Sequence, residues 1–235
     1  GLDLIEPIIM SIFKHSKLNR AIDIKICKSN IYIKQELAIS DLKKHRFGKK
    51  IPFDTINRWI IDILQGINFL HENNITHCDI KTQNILVYGN ETIKLTDFNL
   101  CKYEETFVDL DYEDIAPFKI LNENYQTICT SYYRPPEIWL KKPFNNRVDI
   151  WSFGCLVFEL LTGEMLFKNI ENILPSFKLF FENSRNFCIK NGNVWPDNEI
   201  LNMTLKSNPK NRFGSRKILE TLKILPEMGV KEQII

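Results

Sequence analysis

The stretch that decides the fold is His77-Cys78-Asp79-Ile80-Lys81-Thr82-Gln83-Asn84. A second short motif, Asp97-Phe98-Asn99, begins thirteen residues after Asn84. The apolar pattern between the two motifs predicts a β-hairpin, which would bring both motifs to one edge. That edge would then carry two carboxylates, an amide and a lysine. Phosphoryl transfer uses such a set, because carboxylate and amide oxygens hold Mg²⁺ and a lysine offsets phosphate charge.

Apolar periodicity predicts the elements around these motifs. Isoleucines alternate over residues 22–33 and predict a first hairpin. Asp54 is a plausible N-cap for a long helix, because apolar residues recur at helical spacing from Ile56 to Leu70. Residues 150–161 are apolar on nearly every face and predict a buried helix that ends at Gly163.

The remaining segments give weaker signals. Residues 2–13 have helical spacing, and the proline suggests that this helix starts near Pro7. Residues 104–128 are acidic and irregular and predict a long loop. The whole pattern predicts an α+β fold with a small β-rich lobe, a mainly helical lobe and a crevice between them.

Composition excludes several classes of function. The 235 residues include 31 Lys and Arg against 29 Asp and Glu, so the sequence shows no electrostatic footprint for nucleic acid or an anionic membrane. Apolar stretches are too short or too interrupted to span a bilayer. The six cysteines are scattered, which favours free thiols and a reducing compartment over a zinc site or disulfides. We therefore expect an intracellular protein, cytoplasmic or nuclear.

Five ordered motifs resemble the eukaryotic protein kinase family. Residues 77–84 are similar to its catalytic loop H-R-D-L-K-x-x-N, and residues 97–99 to its D-F-G. Pro135-Pro136-Glu137 is similar to A-P-E, and residues 149–154 are similar to D-x-W-S-x-G. Arg212 is similar to the buried arginine that pairs with the A-P-E glutamate. The resemblance covers nearly the whole chain. It implies a bilobal kinase-like fold, with a truncated N-lobe at residues 1–38 and the C-lobe at residues 39–235.

The resemblance also implies roles for individual residues in a serine/threonine kinase that uses ATP and Mg²⁺ on a protein substrate. Asp79 would accept or orient the substrate hydroxyl proton, and Lys81 would contact the γ-phosphate. Thr130 would bridge Asp79 and Lys81. Asn84 and Asp97 would be the magnesium ligands.

Further roles follow from the same resemblance. Glu137 and Arg212 would form a structural ion pair, and Asp149 would anchor the catalytic-loop backbone. His77, Phe98 and Met10 would stack as an apolar spine.

The nucleotide pocket can be placed by the same resemblance. Residues 31–38 are similar to the family's fifth strand and hinge, with Gln35 as the gatekeeper. Backbone groups of Glu36 and Ala38 would hold the adenine edge, and Leu86 would pack beneath the ring. A regulatory partner is not indicated.

Within the family, residues 130–137 resemble the cyclin-dependent, MAP and DYRK-type group, of which Arg134 is a marker. That group often prefers a proline after the phosphoacceptor, so a proline-directed substrate is a hypothesis.

Four departures from the family keep an alternative open. The sequence contains no glycine-rich loop and no V-A-I-K lysine, which would lie upstream. Asn99 replaces the D-F-G glycine, Cys78 replaces an arginine that pairs with phosphorylated loops, and residues 97–137 form a long acidic segment. The alternative is a pseudokinase that acts as a binding or scaffold module without turnover. A small-molecule or lipid kinase is a more distant possibility.

Overall fold

The computed structural model describes residues 4–28, 30–103, 128–168, 171, 173–174, 176–177 and 199–224. The predicted acidic loop at residues 104–128 lies outside the described residues apart from Ile128. Within the described ranges the chain combines small antiparallel sheets with a helical body, which is the predicted α+β class.

The N-terminal part contains one helix and one hairpin. Helix α1 spans Ile5–Ile12, and strands β1 (Ala21–Cys27) and β2 (Asn30–Gln35) pair antiparallel, with Ile24 opposite Ile33. The hairpin prediction is confirmed. Helix α1 begins two residues before Pro7, so the proline lies in the first turn. A proline is tolerated there because the first helical N–H groups lack an acceptor in any case, and the missing N–H costs no hydrogen bond.

The middle of the chain contains short strands, one short helix and one long helix. These elements are β3 (Ser40–Asp41), α2 (Leu42–Arg46), α3 (Phe53–Glu72), β4 (Ile75–Thr76), β5 (Ile85–Val87), β6 (Ile93–Leu95) and β7 (Lys102–Tyr103). Strands β3, β5 and β6 form one sheet, in which Ile85 lies opposite Leu95. The second predicted hairpin is therefore confirmed. The predicted N-cap at Asp54 is wrong, since α3 begins at Phe53 after Pro52 and Asp54 lies inside the first turn.

In the residues that the structure describes, the C-terminal part is built from helices joined by loops. It contains α4 (Pro136–Trp139), α5 (Arg147–Thr162), α6 (Glu199–Thr204) and α7 (Ser215–Thr221). Helix α5 is buried over almost its whole length and ends at Gly163, whose φ of 85° is the left-handed value that glycine adopts without strain. The prediction of a buried helix closed by Gly163 is confirmed.

Helices α3 and α5 supply most of the core. The fully buried side chains include Trp59 and Leu64 of α3 and Trp151 and Phe153 of α5. A second, smaller cluster packs beneath the catalytic loop and consists of Cys78, Ile128, Cys129, Ile138, Phe144 and Val148. The catalytic loop therefore packs on closely packed, buried residues. None of the helices in the described ranges is both long enough and apolar enough to cross a bilayer.

Candidate active site

The β5–β6 hairpin brings the two sequence motifs together. The N–H of Thr96 donates to the carbonyl of Asn84 at 3.0 Å, so the ends of the two strands are locked side by side. Asp97 follows directly and has a φ of 65°, a left-handed value that turns the chain sharply away from the strand. Asn84 and Asp97 therefore lie at the same edge, as the spacing predicted.

Asp79 is the centre of a closed hydrogen-bond arrangement. Lys81 Nζ donates to Asp79 Oδ2 at 2.6 Å and to Thr130 Oγ1 at 2.9 Å. The hydroxyl of Thr130 donates to Asp79 Oδ1 at 2.7 Å, and its backbone N–H donates to the same oxygen at 2.9 Å. The structure thus brings together all three side chains that the sequence placed in the catalytic step.

The charge state of Asp79 follows from these contacts. Burial on its own would raise the pKa of this carboxyl, but the hydrogen bonds from Lys81 and Thr130 outweigh burial and lower it below its usual value. Asp79 is therefore an ionised acceptor at neutral pH.

Asn84, a predicted metal ligand, is hydrogen-bonded to Asp79. Its side-chain nitrogen donates to the Asp79 carbonyl at 2.9 Å and to Asp79 Oδ2 at 3.1 Å. These bonds use the amide nitrogen and leave the amide oxygen available as a ligand. Among the described residues no lysine or arginine pairs with Asp97.

This donor set fits Mg²⁺, which is often held by one or two carboxylates together with substrate phosphates. It does not form an all-protein cage. No group of three His, Cys, Asp or Glu side chains that could hold a metal occurs in the part of the chain that the structure describes.

Asp149 of α5 fixes the backbone of the catalytic loop. Its two carboxylate oxygens accept the N–H groups of His77 at 2.7 Å and Cys78 at 2.8 Å. The His71 ring, on α3, contacts the same carboxylate at 2.9 Å. Because Asp149 is itself buried in α5, these bonds tie the backbone that leads to Asp79 to the packed core.

The His77 ring links the two motifs. Its Nδ1 accepts the N–H of Asp79 at 3.2 Å, which leaves Nε2 as the donor to the carbonyl of Thr96 at 3.1 Å. The ring also packs against Phe98, with ring centroids 5.5 Å apart. Phe98 and Met10 both belong to the main hydrophobic core.

The sequence profile of the family described as "protein kinase domain" matches residues 4–222. The chain belongs to the protein kinase domain family. One curated relative is the serine/threonine-protein kinase Nek3 of Mus musculus, which is 36% identical over 121 residues. The match covers 50% of this chain and 20% of the relative, so the chain spans about a fifth of the length of that curated protein.

The finer grouping does not receive support from this relative. The sequence motifs favoured the cyclin-dependent, MAP and DYRK-type group, whereas the relative is named a Nek kinase.

Residues 97–137 correspond to the activation segment of kinases. Arg134 anchors the end of this segment. Its Nε donates to the carbonyls of Ile128 at 3.0 Å and Cys129 at 3.1 Å, and Nη2 donates to Cys129 at 2.8 Å. Cys129 has a left-handed φ of 57°. The guanidinium lies over the ring of Trp139, 4.7 Å from its centroid. These contacts fix the segment that follows Thr130.

The predicted ion pair of the kinase domain is present and buried. Arg212 Nη1 and Nη2 donate to the two carboxylate oxygens of Glu137 at 2.6 and 2.7 Å. Both side chains are almost fully excluded from solvent.

The predicted nucleotide-binding residues lie on β2, on β5 and in the segment that joins β2 to β3. The carboxylate of Glu36 pairs with Lys94 Nζ at 2.6 Å. Leu86 and Ala38 are half-buried. Lys81 lies with Asp79 rather than with these residues, which is consistent with a contact to phosphate rather than to the base.

Gln35 takes part in a polar network that the sequence did not reveal. Asn19, which is buried, donates to Gln35 Oε1 at 2.7 Å and to Thr96 Oγ1 at 3.2 Å. Tyr88 in turn donates its hydroxyl to Asn19 Oδ1 at 3.2 Å, and burial raises the pKa of that phenol to about 12. Asn19 was missed because a lone asparagine between apolar segments carries no periodic signal.

Proposed function

We propose that this chain transfers the γ-phosphate of ATP to a serine or threonine hydroxyl of a protein substrate, with Mg²⁺ as the metal. The observation that carries the proposal is the closed arrangement of Asp79, Lys81 and Thr130. An ionised carboxylate, a lysine and a hydroxyl at these separations suit phosphoryl transfer, in which the protein mainly positions and neutralises charge.

Each residue has a defined task in this proposal. Asp79 accepts the hydrogen bond of the substrate hydroxyl and orients its oxygen toward the phosphate. Lys81, held by both Asp79 and Thr130, offsets the negative charge of the transferred group. When bound, Mg²⁺ neutralises phosphate charge, and the oxygens of Asn84 and Asp97 would hold it.

The direct test is radiolabelled phosphate transfer from Mg²⁺-ATP to a generic basic protein, followed by identification of the labelled amino acid. The proposal expects phosphoserine and phosphothreonine in the product. Label on tyrosine only would contradict the serine/threonine assignment. Absence of transfer by a folded chain would support the alternative, a pseudokinase that binds partners without turnover.

The finer part of the proposal is a substrate with proline after the phosphoacceptor. The carbonyl of Cys129, one residue before Thr130, already accepts hydrogen bonds from Arg134. We place the substrate residue that follows the phosphoacceptor beside this carbonyl, because Cys129 adjoins Thr130. The carbonyl already accepts two hydrogen bonds, so it is a poor acceptor for the N–H of that substrate residue, which would be left without a partner. Proline has no N–H and loses nothing. This argument depends on Arg134 and Cys129 and not on a subgroup.

A pair of peptides that differ only in proline or alanine after the phosphoacceptor tests this part. We expect kcat/KM to be about tenfold higher for the proline peptide, since one unsatisfied buried N–H costs about 1–3 kcal/mol. Equal rates for the two peptides would refute it.

We further propose a reducing location in the cell, cytoplasmic or nuclear. The five described cysteines are free thiols, and four of them are buried. Burial raises the pKa of Cys78 and Cys129 well above the ordinary value, which keeps both thiols neutral.

A further inference from the structure

Asn99 occupies a position at which the family motif has glycine, and its side chain makes a bond that glycine cannot make. Its Nδ2 donates to Asp97 Oδ1 at 3.0 Å. The backbone of Asn99 is not left-handed, whereas Asp97 has a φ of 65°. Glycine is therefore not required at residue 99 to form the turn. The side chain of Asn99 is exposed, so the apolar core does not explain its presence.

The turn itself is held from the other side. The N–H of Phe98 donates to Glu6 Oε1 of α1 at 3.2 Å, and the Phe98 ring is fully buried against His77. These contacts fix the backbone of the turn but not the rotation of the Asp97 carboxylate. Within the described ranges, Asn99 supplies the hydrogen bond that restrains that rotation.

We propose that Asn99 is a positioning residue for the metal ligand Asp97, an inference that rests on the proposed phosphotransfer function. Asn99 holds Oδ1 with a neutral donor, which leaves Oδ2 and the second lone pair of Oδ1 for a divalent cation. Hydrogen bonds to a ligating carboxylate fix its orientation and contribute to metal affinity. A ligand that is already oriented loses less rotational freedom when the cation binds.

The test measures Mn²⁺ binding, by electron paramagnetic resonance of the free ion, to the full chain in the presence of a non-hydrolysable ATP analogue. Asn99→Ala and Asn99→Gly both remove the donor, and neither is strained at this backbone conformation. We expect both variants to bind Mn²⁺ about tenfold more weakly than the wild type. Their affinity for the analogue without metal should be unchanged.

Asn202→Ala is the matched control, because Asn202 is an exposed asparagine of α6. It should bind Mn²⁺ like the wild type. Wild-type affinity in Asn99→Ala, with folding verified by thermal melting, would overturn the proposal. Wild-type chain that binds Mn²⁺ but transfers no phosphate would contradict the proposed function and leave the role of Asn99 to be decided by the variants. A wild-type chain that binds no Mn²⁺ with the analogue would overturn both.

Discussion

The Asp79 carboxylate is buried and still ionised, because each of its neighbours is a hydrogen-bond donor. Lys81, Thr130 and Asn84 all donate to it. A buried carboxylate without such partners would bind a proton near neutral pH and could not orient a substrate hydroxyl. The neighbours of Asp79 therefore create its depressed pKa, and the role proposed for Asp79 requires it.

Thr130→Val tests the contribution of one neighbour to this charge state. Loss of the hydroxyl removes one bond to Asp79 and the acceptor of Lys81, so the pKa of Asp79 rises. As the pH is lowered, Asp79 of the variant would then take up a proton at a higher pH than Asp79 of the wild type. We expect kcat to fall about tenfold at neutral pH, and the acidic limb of the kcat/KM profile to move to higher pH.

Thr130→Ser is the control for that measurement, because it keeps the hydroxyl at the same place. Its pH profile should match that of the wild type. An acidic limb that does not move in Thr130→Val would show that the Thr130 hydroxyl does not set the pKa of Asp79.

Spacing alone was enough to place Asp79, Lys81 and Asn84 together, because a short loop and a hairpin leave few geometries for them. Thr130 lies 51 residues from Asp79 and came from the family resemblance, since no local pattern links positions so far apart. The bonds of Asn19 and Asn99 could not be predicted. Which buried or exposed amide finds a partner depends on the packing of several segments at once.

At the scale of elements, helix α5 is the platform on which the catalytic loop is built. Its close contact with α6 depends on Gly154. A Cβ atom at Gly154 would lie 2.5 Å from Thr204 Oγ1 and 2.8 Å from a Leu205 methyl carbon. Real Cβ atoms do not come that close, so any larger residue forces the Thr204 and Leu205 side chains, or the helices themselves, to shift.

Gly154→Ala should therefore destabilise the fold by about 1–3 kcal/mol, although alanine has the higher helix propensity. The change is measured as a shift in the urea midpoint. Gly89→Ala is the matched control, because nothing lies within 4 Å of its Cβ and its φ is ordinary. A stabilised Gly154→Ala variant would show that these side chains or helices shift at little cost.

The second hairpin and helix α5 were predictable from apolar periodicity, because each buries a regular face or its whole surface. The first hairpin was predictable from its alternating isoleucines, although its described strand residues are half-buried or exposed. Helix boundaries were less predictable. Asp54 has the chemistry of an N-cap, but α3 starts at Phe53 and is preceded by Pro52, whose fixed φ is compatible with a helix entry. Pro7 was the better guide, since α1 begins at Ile5, close to that proline as predicted.

At the scale of the whole molecule, buried polar bonds join the catalytic loop and the activation segment to the packed core. Asp149 holds the catalytic loop, and the Glu137–Arg212 pair holds α4. Arg212 also donates to the carbonyls of Arg147 and Lys206, at 3.0 and 2.8 Å. Removal of either member of the pair leaves a buried charge without its partner.

Arg212→Met should lower the free energy of unfolding by about 3–5 kcal/mol, because Glu137 and the carbonyls of Arg147, Lys206 and Ser207 lose their donor. The double variant Glu137→Met with Arg212→Met should lose less than the sum of the single variants, as measured by urea unfolding. Lys168→Met, in an exposed pair with Glu164, should change stability by less than about 1 kcal/mol. Additive losses in the double variant would show that the pair contributes no coupling.

The order and spacing of five motifs indicated the family over the whole chain, and the match to residues 4–222 agrees with that indication. The subgroup was not predictable from Arg134 alone, because kinases of different subgroups can use one arginine for the same backbone contacts. The division at residue 38 between the lobes stays a prediction.

The measurement that tests the central claim most directly is the rate of phosphate transfer by Asp79→Asn, compared with Asp54→Asn and the wild type. Both substitutions remove one negative charge, but Asp54 is exposed on α3, away from the bonds that surround Asp79. We predict that Asp79→Asn lowers kcat by a factor of about 10²–10⁴, while Asp54→Asn retains the wild-type rate. An Asp79→Asn variant that transfers phosphate at the wild-type rate would contradict the account.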